Sequence, residues 1–215
     1  MYLSRIDLRY DDLPVSMLTK LGDSGAYALH QWLWQLFPEQ QSRDFLFRQE
    51  SIAGGVRCYL LSALEPAAHN LLRVVSKRFS PQLAAGDRLC FSLRVNPVVT
   101  RQGKRSDVLM DAKYHVAKDL EPEEIWQCQQ QAAIDWFLRQ AATKGFEVEA
   151  EQVAVSGYQQ HCMSKPKSNA SIRFSSVELQ GVLTVIEPAA FSSALASGFG
   201  KSRGLGCGLM MIKRA

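Results

Sequence analysis

Two groups of residues in this chain have types and spacings suited to chemistry. The first is Gly198-Phe199-Gly200-Lys201-Ser202-Arg203-Gly204-Leu205-Gly206-Cys207-Gly208, five glycines in eleven positions with two cations among them. Glycine adopts positive φ and has no side chain to hold a ligand away from main-chain N–H groups, so such a loop suits a phosphate or a larger polyanion. The spacing is not that of a nucleotide P-loop. The run Leu209–Ile212 that follows reads as a strand, not as the helix a dinucleotide fingerprint needs. A plain glycine-rich turn before a last strand is the competing reading. The second group is Tyr27, His30 and Trp34, spaced three and four apart and so able to share one helical face. Histidine titrates near neutrality and suits proton transfer, although a lone histidine in an amphipathic helix is more often a polar boundary residue.

Charge is segregated along the chain. Between Met163 and Ala215 there are seven cations (Lys165, Lys167, Arg173, Lys201, Arg203, Lys213, Arg214) against two acids, Glu178 and Glu187. A second basic cluster is Arg94, Arg101, Lys104 and Arg105, while acids gather at 119–124 and 147–151. Such a distribution presents a positive face, for which a phosphate backbone is the usual partner; scattering over solvated surface is the alternative. The overall formal charge of +4 would not by itself point to nucleic acid. With 47% hydrophobic and 21% charged residues in 215, the chain has the composition of a globular protein with one large or two small cores. No apolar run is long enough to span a membrane, and the charged N-terminus does not read as a signal peptide. The five cysteines are odd in number and scattered, which argues against a disulfide framework or a zinc site and for a reducing cytoplasm. No cofactor is expected.

The elements that must position these residues follow from pattern. Residues 1–8 read as a strand, and Asp23 or Ser24 can cap a helix to about Phe37, ended by Pro38. Strands are expected at 45–47 and 56–61 around the Gly54-Gly55 turn, and Arg88–Val95 alternates cleanly until Asn96-Pro97. Residues 66–75 fit a short helix or the start of a strand. The segment 98–110 reads as a connection or irregular strand, and 121–144 as a helix with Pro122 and acids in its first turn. Strands at 146–155 and 171–185 leave a hairpin tip over 158–169 carrying Lys165 and Lys167. A helix opens at Pro188 and a strand at Leu209. The order β-α-β-β-(α)-β occurs twice, giving an α+β protein of two tandem ferredoxin-like (RRM-like) domains with antiparallel sheets, 1–97 and 98–215.

Several stretches in order along the chain resemble the CRISPR-associated endoribonucleases of type I-E systems, the CasE family. They are Met1-Tyr2-Leu3-Ser4, Tyr27-Ala28-Leu29-His30-Gln31 with Leu33-Trp34 and Leu36-Phe37-Pro38, Asp44-Phe45-Leu46-Phe47-Arg48, and Phe91-Ser92-Leu93-Arg94-Val95-Asn96-Pro97. Gly181-Val182-Leu183-Thr184-Val185 and the glycine-rich loop complete the resemblance. It implies two ferredoxin-like domains that bind the stem-loop of CRISPR repeat RNA and cut at its 3′ base without metal. It further implies that the protein stays on the product as a subunit of the Cascade effector complex. His30 carries over as the catalytic histidine and Tyr27 as an assisting tyrosine. The basic hairpin that family members place in the RNA major groove falls near Lys165, Lys167 and Arg173. RNA contacts are expected from Arg94, Arg101, Lys104, Arg105, Gly198, Gly200, Lys201 and Arg203 as well. Gly204 stands where the family often has serine.

The implied reaction needs little from the protein. The RNA 2′-hydroxyl attacks the adjacent phosphate in line and expels the 5′-oxygen, leaving a 2′,3′-cyclic phosphate and a 5′-OH. A base, an acid and positive charge suffice, because the nucleophile is already attached. Whether His30 is the base or the acid is open at this stage. Two other readings remain: an RNA-binding ferredoxin-like protein without turnover, and a small-ligand enzyme that uses the glycine-rich loop.

Overall fold

Strand β1 (Tyr2–Arg9) alternates as the sequence dictates, with Ser4, Ile6 and Leu8 buried and Arg5 exposed. The computed structural model describes residues 1–101, 103–117, 119–164 and 171–215, without the side chains of Asp23, Ser24 and Ser164. After β1 come helix α1 (Val15–Trp34), the hairpin β2 (Phe45–Ile52) and β3 (Gly55–Ser62), and β4 (Arg73–Arg78). They form an antiparallel sheet in the order β2-β3-β1-β4, the ferredoxin-like order. Leu29 and Leu33 of α1 pack on Ile6, Leu8, Phe45, Phe47 and Leu60 to make the first core. The helix starts earlier than expected and is broken at Gly25 (φ 39°, ψ −114°), next to the predicted start, so Tyr27 and His30 lie just beyond a kink. The expected cap rests on Asp23 and Ser24, whose side chains lie outside the described ones.

The clean strand Arg88–Val95 was expected to close this first sheet, and it does not. As β5 it lies in a second sheet, between β10 (Ser171–Val185) and β11 (Met210–Arg214). The edge beside β1 is taken by β4, and no helix forms between β3 and β4. Leu89, Phe91, Leu93 and Val95 instead face a second core with Phe137 and Phe191. The sheets therefore change over within residues 79–87, ahead of the expected boundary at residue 97.

Between β5 and β10 run a two-stranded hairpin, β6 (Val98–Arg101) and β7 (Lys104–Asp107), helices α2 (Val108–His115) and α3 (Pro122–Ala141), and strands β8 (Phe146–Glu147) and β9 (Val153–Ser164). Helix α4 (Pro188–Ser197) precedes β11. The second sheet, β11-β5-β10 with β8 and β9 both on β10, completes another ferredoxin-like order. The acids at the start of α3 are structural, as expected: the Glu124 carboxylate accepts from the Glu121 backbone N–H at 2.9 Å in a capping box. The segment 98–110 is more regular than its charges suggest, because the Asp107 carboxylate caps α2 by accepting from Leu109 and Met110 N–H.

The two sheets are tied face to face. Residues 45–48 are all buried, since Phe45 and Phe47 serve the first core while Leu46 and Arg48 meet the second unit. Leu46 and Leu61 pack with Leu209. Beside them Arg48, 8% exposed, stands 3.2 Å from Glu178 and donates to Ser92 Oγ at 3.1 Å. Arg94 donates to the other Glu178 oxygen at 2.6 Å and to Gln49 O at 2.8 Å. A buried ion pair that loses one member leaves an uncompensated charge, a loss of about 3–5 kcal/mol. Arg48 also stands 3.3 Å from Glu50, so Glu178→Ala leaves it a second carboxylate and should lower the unfolding free energy by about 1–3 kcal/mol in a urea titration; no measurable change would show that Glu50 and water already serve Arg48.

Candidate functional site

His30 sits one helical turn beyond Tyr27, after the break in α1. Its imidazole is half-buried among Trp34, Phe45 and Phe47, with ring centroids 6.2, 5.9 and 6.4 Å away. Among the described residues its Nδ1 is buried with no hydrogen-bond partner, so no protein group fixes the tautomer. Burial first, and the nearby Arg43 guanidinium second, push its pKa below the ordinary histidine value. Both effects favour the neutral ring, the form able to accept a proton.

The glycine-rich loop reaches this histidine. Residues Arg203–Leu205 form a 3₁₀ turn against α1 and β2. A Cβ placed on Gly204 would stand 3.7 Å from His30 Cε1 and 3.8 Å from Arg43 Cζ, so imidazole and guanidinium border one space. Arg43 is half-buried, and its Nη1 donates to Phe45 O at 3.1 Å. Burial and then Arg203 lower its pKa. Arg203 Nη1 in turn donates to Ser197 O. Among the described residues neither guanidinium has a carboxylate partner. Uncompensated cations converging on one space suit an anion.

Gly198 and Gly200, expected to contact RNA, lie close against the protein on their Cβ side and also border a small cavity. Both have positive φ (77° and 67°). A Cβ on Gly198 would lie 2.8 Å from Leu46, and one on Gly200 would lie 2.6 Å from Val95. Their bare backbones let the loop lie flat on the sheets. The loop is pinned there by Lys201 N–H donating to Asn96 O (3.2 Å) and Asn96 Nδ2 donating to Ser202 Oγ (2.8 Å).

Next to the loop lies an open groove of about 920 Å³ whose lining includes Arg105, His161, Arg173, Phe174, Lys201 and Ser202. Three expected cations, from β7, β10 and the glycine-rich loop, thus meet on one surface. His161 stacks on Phe174 at 4.4 Å with its Nε2 2.8 Å from Ser176 Oγ, and burial followed by Arg94 lowers its pKa. Ser202 lines the groove and Gly204, two residues on, borders His30, so the Cα atoms of these two loop residues are at most about 7.6 Å apart.

The remaining expected residues fall elsewhere. Arg94 pairs with Glu178 on the neighbouring strand of its own sheet and donates across to the Gln49 carbonyl of the other sheet. Arg101 pairs with Asp111 at 2.9 Å, and Lys104 is exposed on the β6–β7 hairpin away from the groove lining. Arg203 lines a smaller cavity of about 260 Å³ with Gly198, Gly200 and Lys201. Lys165 and Lys167 lie outside the described residues. Arg43 was not among the expected residues. A single arginine in the connection before β2 carries no periodic signal, although it immediately precedes the Asp44-Phe45-Leu46-Phe47-Arg48 run.

A family model described as CRISPR-associated protein matches residues 1–214. The Cascade subunit CasE of Escherichia coli K12 is 29% identical over 218 residues, covering 99% of this chain and 98% of the relative. A structure of the CRISPR endoribonuclease Cse3 bound to a 19-nucleotide RNA superimposes with a TM-score of 0.75 at 21% identity, covering 99% of this chain and 100% of that one. Thermus thermophilus Cse3 bound to an RNA representing a pre-cleavage complex gives 0.71 at 23% identity, covering 99% and 98%. These structures share the two-sheet fold. No helix among the described residues is long and apolar enough to cross a membrane. With the family model spanning nearly its whole length, the chain belongs to the CRISPR-associated protein family.

Proposed function

We propose that this protein is a metal-independent endoribonuclease that binds the stem-loop of CRISPR repeat RNA and cuts at its 3′ base. It then stays on the guide RNA as a Cascade subunit in the cytoplasm. The observation that carries this reading is a half-buried histidine, His30, sharing with Arg43 the space over Gly204, on the same loop that edges the Arg105–Arg173–Lys201 groove. The RNA-bound Cse3 structures and the Cascade role of the E. coli relative support the substrate and the assembly.

In this mechanism the groove cations hold the phosphates of the stem and bring the scissile linkage to the 203–205 turn. The 2′-oxygen bonds to phosphorus as the bond from phosphorus to the 5′-oxygen breaks. The 2′-proton passes to the neutral imidazole of His30, which its depressed pKa keeps ready to accept it. We assign the proton of the departing 5′-oxygen to Tyr27, one turn earlier on α1. If the neutral ring is the working form, the single-turnover rate should rise with pH to a plateau, with its midpoint below the ordinary histidine value. A midpoint above that value would contradict a general base at His30.

A 2′-deoxy nucleotide at the scission site separates cutting from binding. The deoxy stem-loop should bind as tightly as the all-ribose RNA and remain intact, whereas its cleavage would rule out the 2′-hydroxyl as nucleophile. Tight binding of the all-ribose RNA without any cleavage would favour a binding protein instead. We also take the chain as two domains that divide within residues 79–87, where it passes from one sheet to the other.

A further inference from the structure

We infer that Arg43 is a further catalytic residue, donating N–H groups to a non-bridging oxygen of the scissile phosphate while His30 takes the 2′-proton. The inference rests on the endoribonuclease reading above. Its ground is the way one aromatic ring seats both groups. The His30 ring centroid lies 5.9 Å from that of Phe45, and the Arg43 guanidinium lies 6.0 Å from the same centroid. Arg43 Nη1 is fixed by the Phe45 carbonyl, which aims the fork without using its other donors. A guanidinium carries five N–H donors in a planar fork that matches a phosphate face.

Opposite these two groups the chain has glycine. A Cβ on Gly204 would meet His30 Cε1 and Arg43 Cζ at ordinary contact distances of 3.7 and 3.8 Å. An atom of a bound ligand in that space would touch imidazole and guanidinium together. In-line attack makes the same demand, because the 2′-oxygen and the non-bridging oxygens sit on one phosphorus. Arg203 is close enough to lower the Arg43 pKa, and no carboxylate among the described residues pairs with either arginine. Positive charge is thus preorganised where negative charge grows in the transition state. Arg43 gives up no proton in this step; the bond from the 2′-oxygen to phosphorus forms, the bond to the 5′-oxygen breaks, and the 2′-proton moves to His30. A purely structural Arg43 would need only its bond to Phe45 O, which does not call for a guanidinium beside the imidazole.

The test uses the full chain and stem-loop RNAs with a single Rp or Sp phosphorothioate at the cleaved linkage. Sulfur is the weaker acceptor, so one diastereomer should slow the wild type more than the other. In Arg43→Gln the all-oxygen rate should fall by about 10²–10³, the loss expected for one transition-state donor. RNA affinity and melting temperature should stay close to wild type, and the difference between diastereomers should collapse. Arg43→Lys keeps the charge and should recover part of the rate, and its difference between diastereomers should be smaller than that of the wild type, which keeps the test open if the glutamine variant fails to fold. The acidic limb of the pH–rate profile should also move to higher pH in Arg43→Gln, because a positive neighbour no longer disfavours the imidazolium. A diastereomer effect as large in the variants as in the wild type, or none in the wild type, overturns the assignment of Arg43 and leaves His30 in place. Cleavage by a His30→Ala control at the wild-type rate overturns the endoribonuclease mechanism itself, and Arg43 with it.

Discussion

His30→Ala is expected to lower single-turnover cleavage of the repeat stem-loop by about 10²–10⁴, the usual contribution of a positioned proton-transfer group, with little change in RNA affinity. The separation follows from where the ring sits. His30 lies beside the 203–205 turn and Arg43, while Arg105, Arg173 and Lys201 line the adjoining groove. Alanine removes a half-buried ring from contact with Trp34, Phe45 and Phe47, so some stability goes with it. Melting curves for the variant separate that loss from the loss of chemistry. A folded His30→Ala protein that retains more than about a tenth of the wild-type rate would remove His30 from the proton transfer.

The second large effect is on binding. Replacing Arg105, Arg173 and Lys201 together by alanine should weaken stem-loop binding steeply at low salt and flatten its salt dependence. Each phosphate contact contributes about 0.7–0.9 to the slope of log K against log salt, so the triple variant should lose about 2–3 from that slope. His30→Ala should leave the slope alone. Parallel lines for the triple variant and the wild type would mean that the backbone follows another surface. Lys165 and Lys167 would then be the first to examine by the same substitutions.

The patterns that declared themselves in the sequence are those set by local chemistry. The range 171–185 is one strand and 188–197 one helix as expected, since alternation and a first-turn proline need no knowledge of the rest of the fold. Leu33 and Phe37 belong to the core for the same reason. Pairing is a long-range matter. Alternation marked Arg88–Val95 as a strand but carried no sign of which sheet would hold it, and the answer turned on β4 occupying the edge of the first. Side chains with two possible uses were equally ambiguous. Arg94 and Arg101 count as basic residues in a sequence, yet Glu178 and Asp111 claim them in the fold. Gly198 and Gly200 signalled a close approach correctly, but what approaches them is Leu46 and Val95. Arg43 became visible only once β2 and the glycine-rich loop brought it beside His30, across some 160 residues of chain.

The most direct test of a histidine-assisted attack by the ribose is the chemistry of the cut ends. After single-turnover cleavage by the chelator-treated protein, mass spectrometry of the upstream fragment should give a 2′,3′-cyclic phosphate, lighter by one water than the open phosphate. The downstream fragment should carry a 5′-hydroxyl that polynucleotide kinase labels without prior dephosphorylation. A 3′-hydroxyl upstream with a 5′-phosphate downstream would mean that water attacked from outside, and the role given to His30 and the ribose would be wrong.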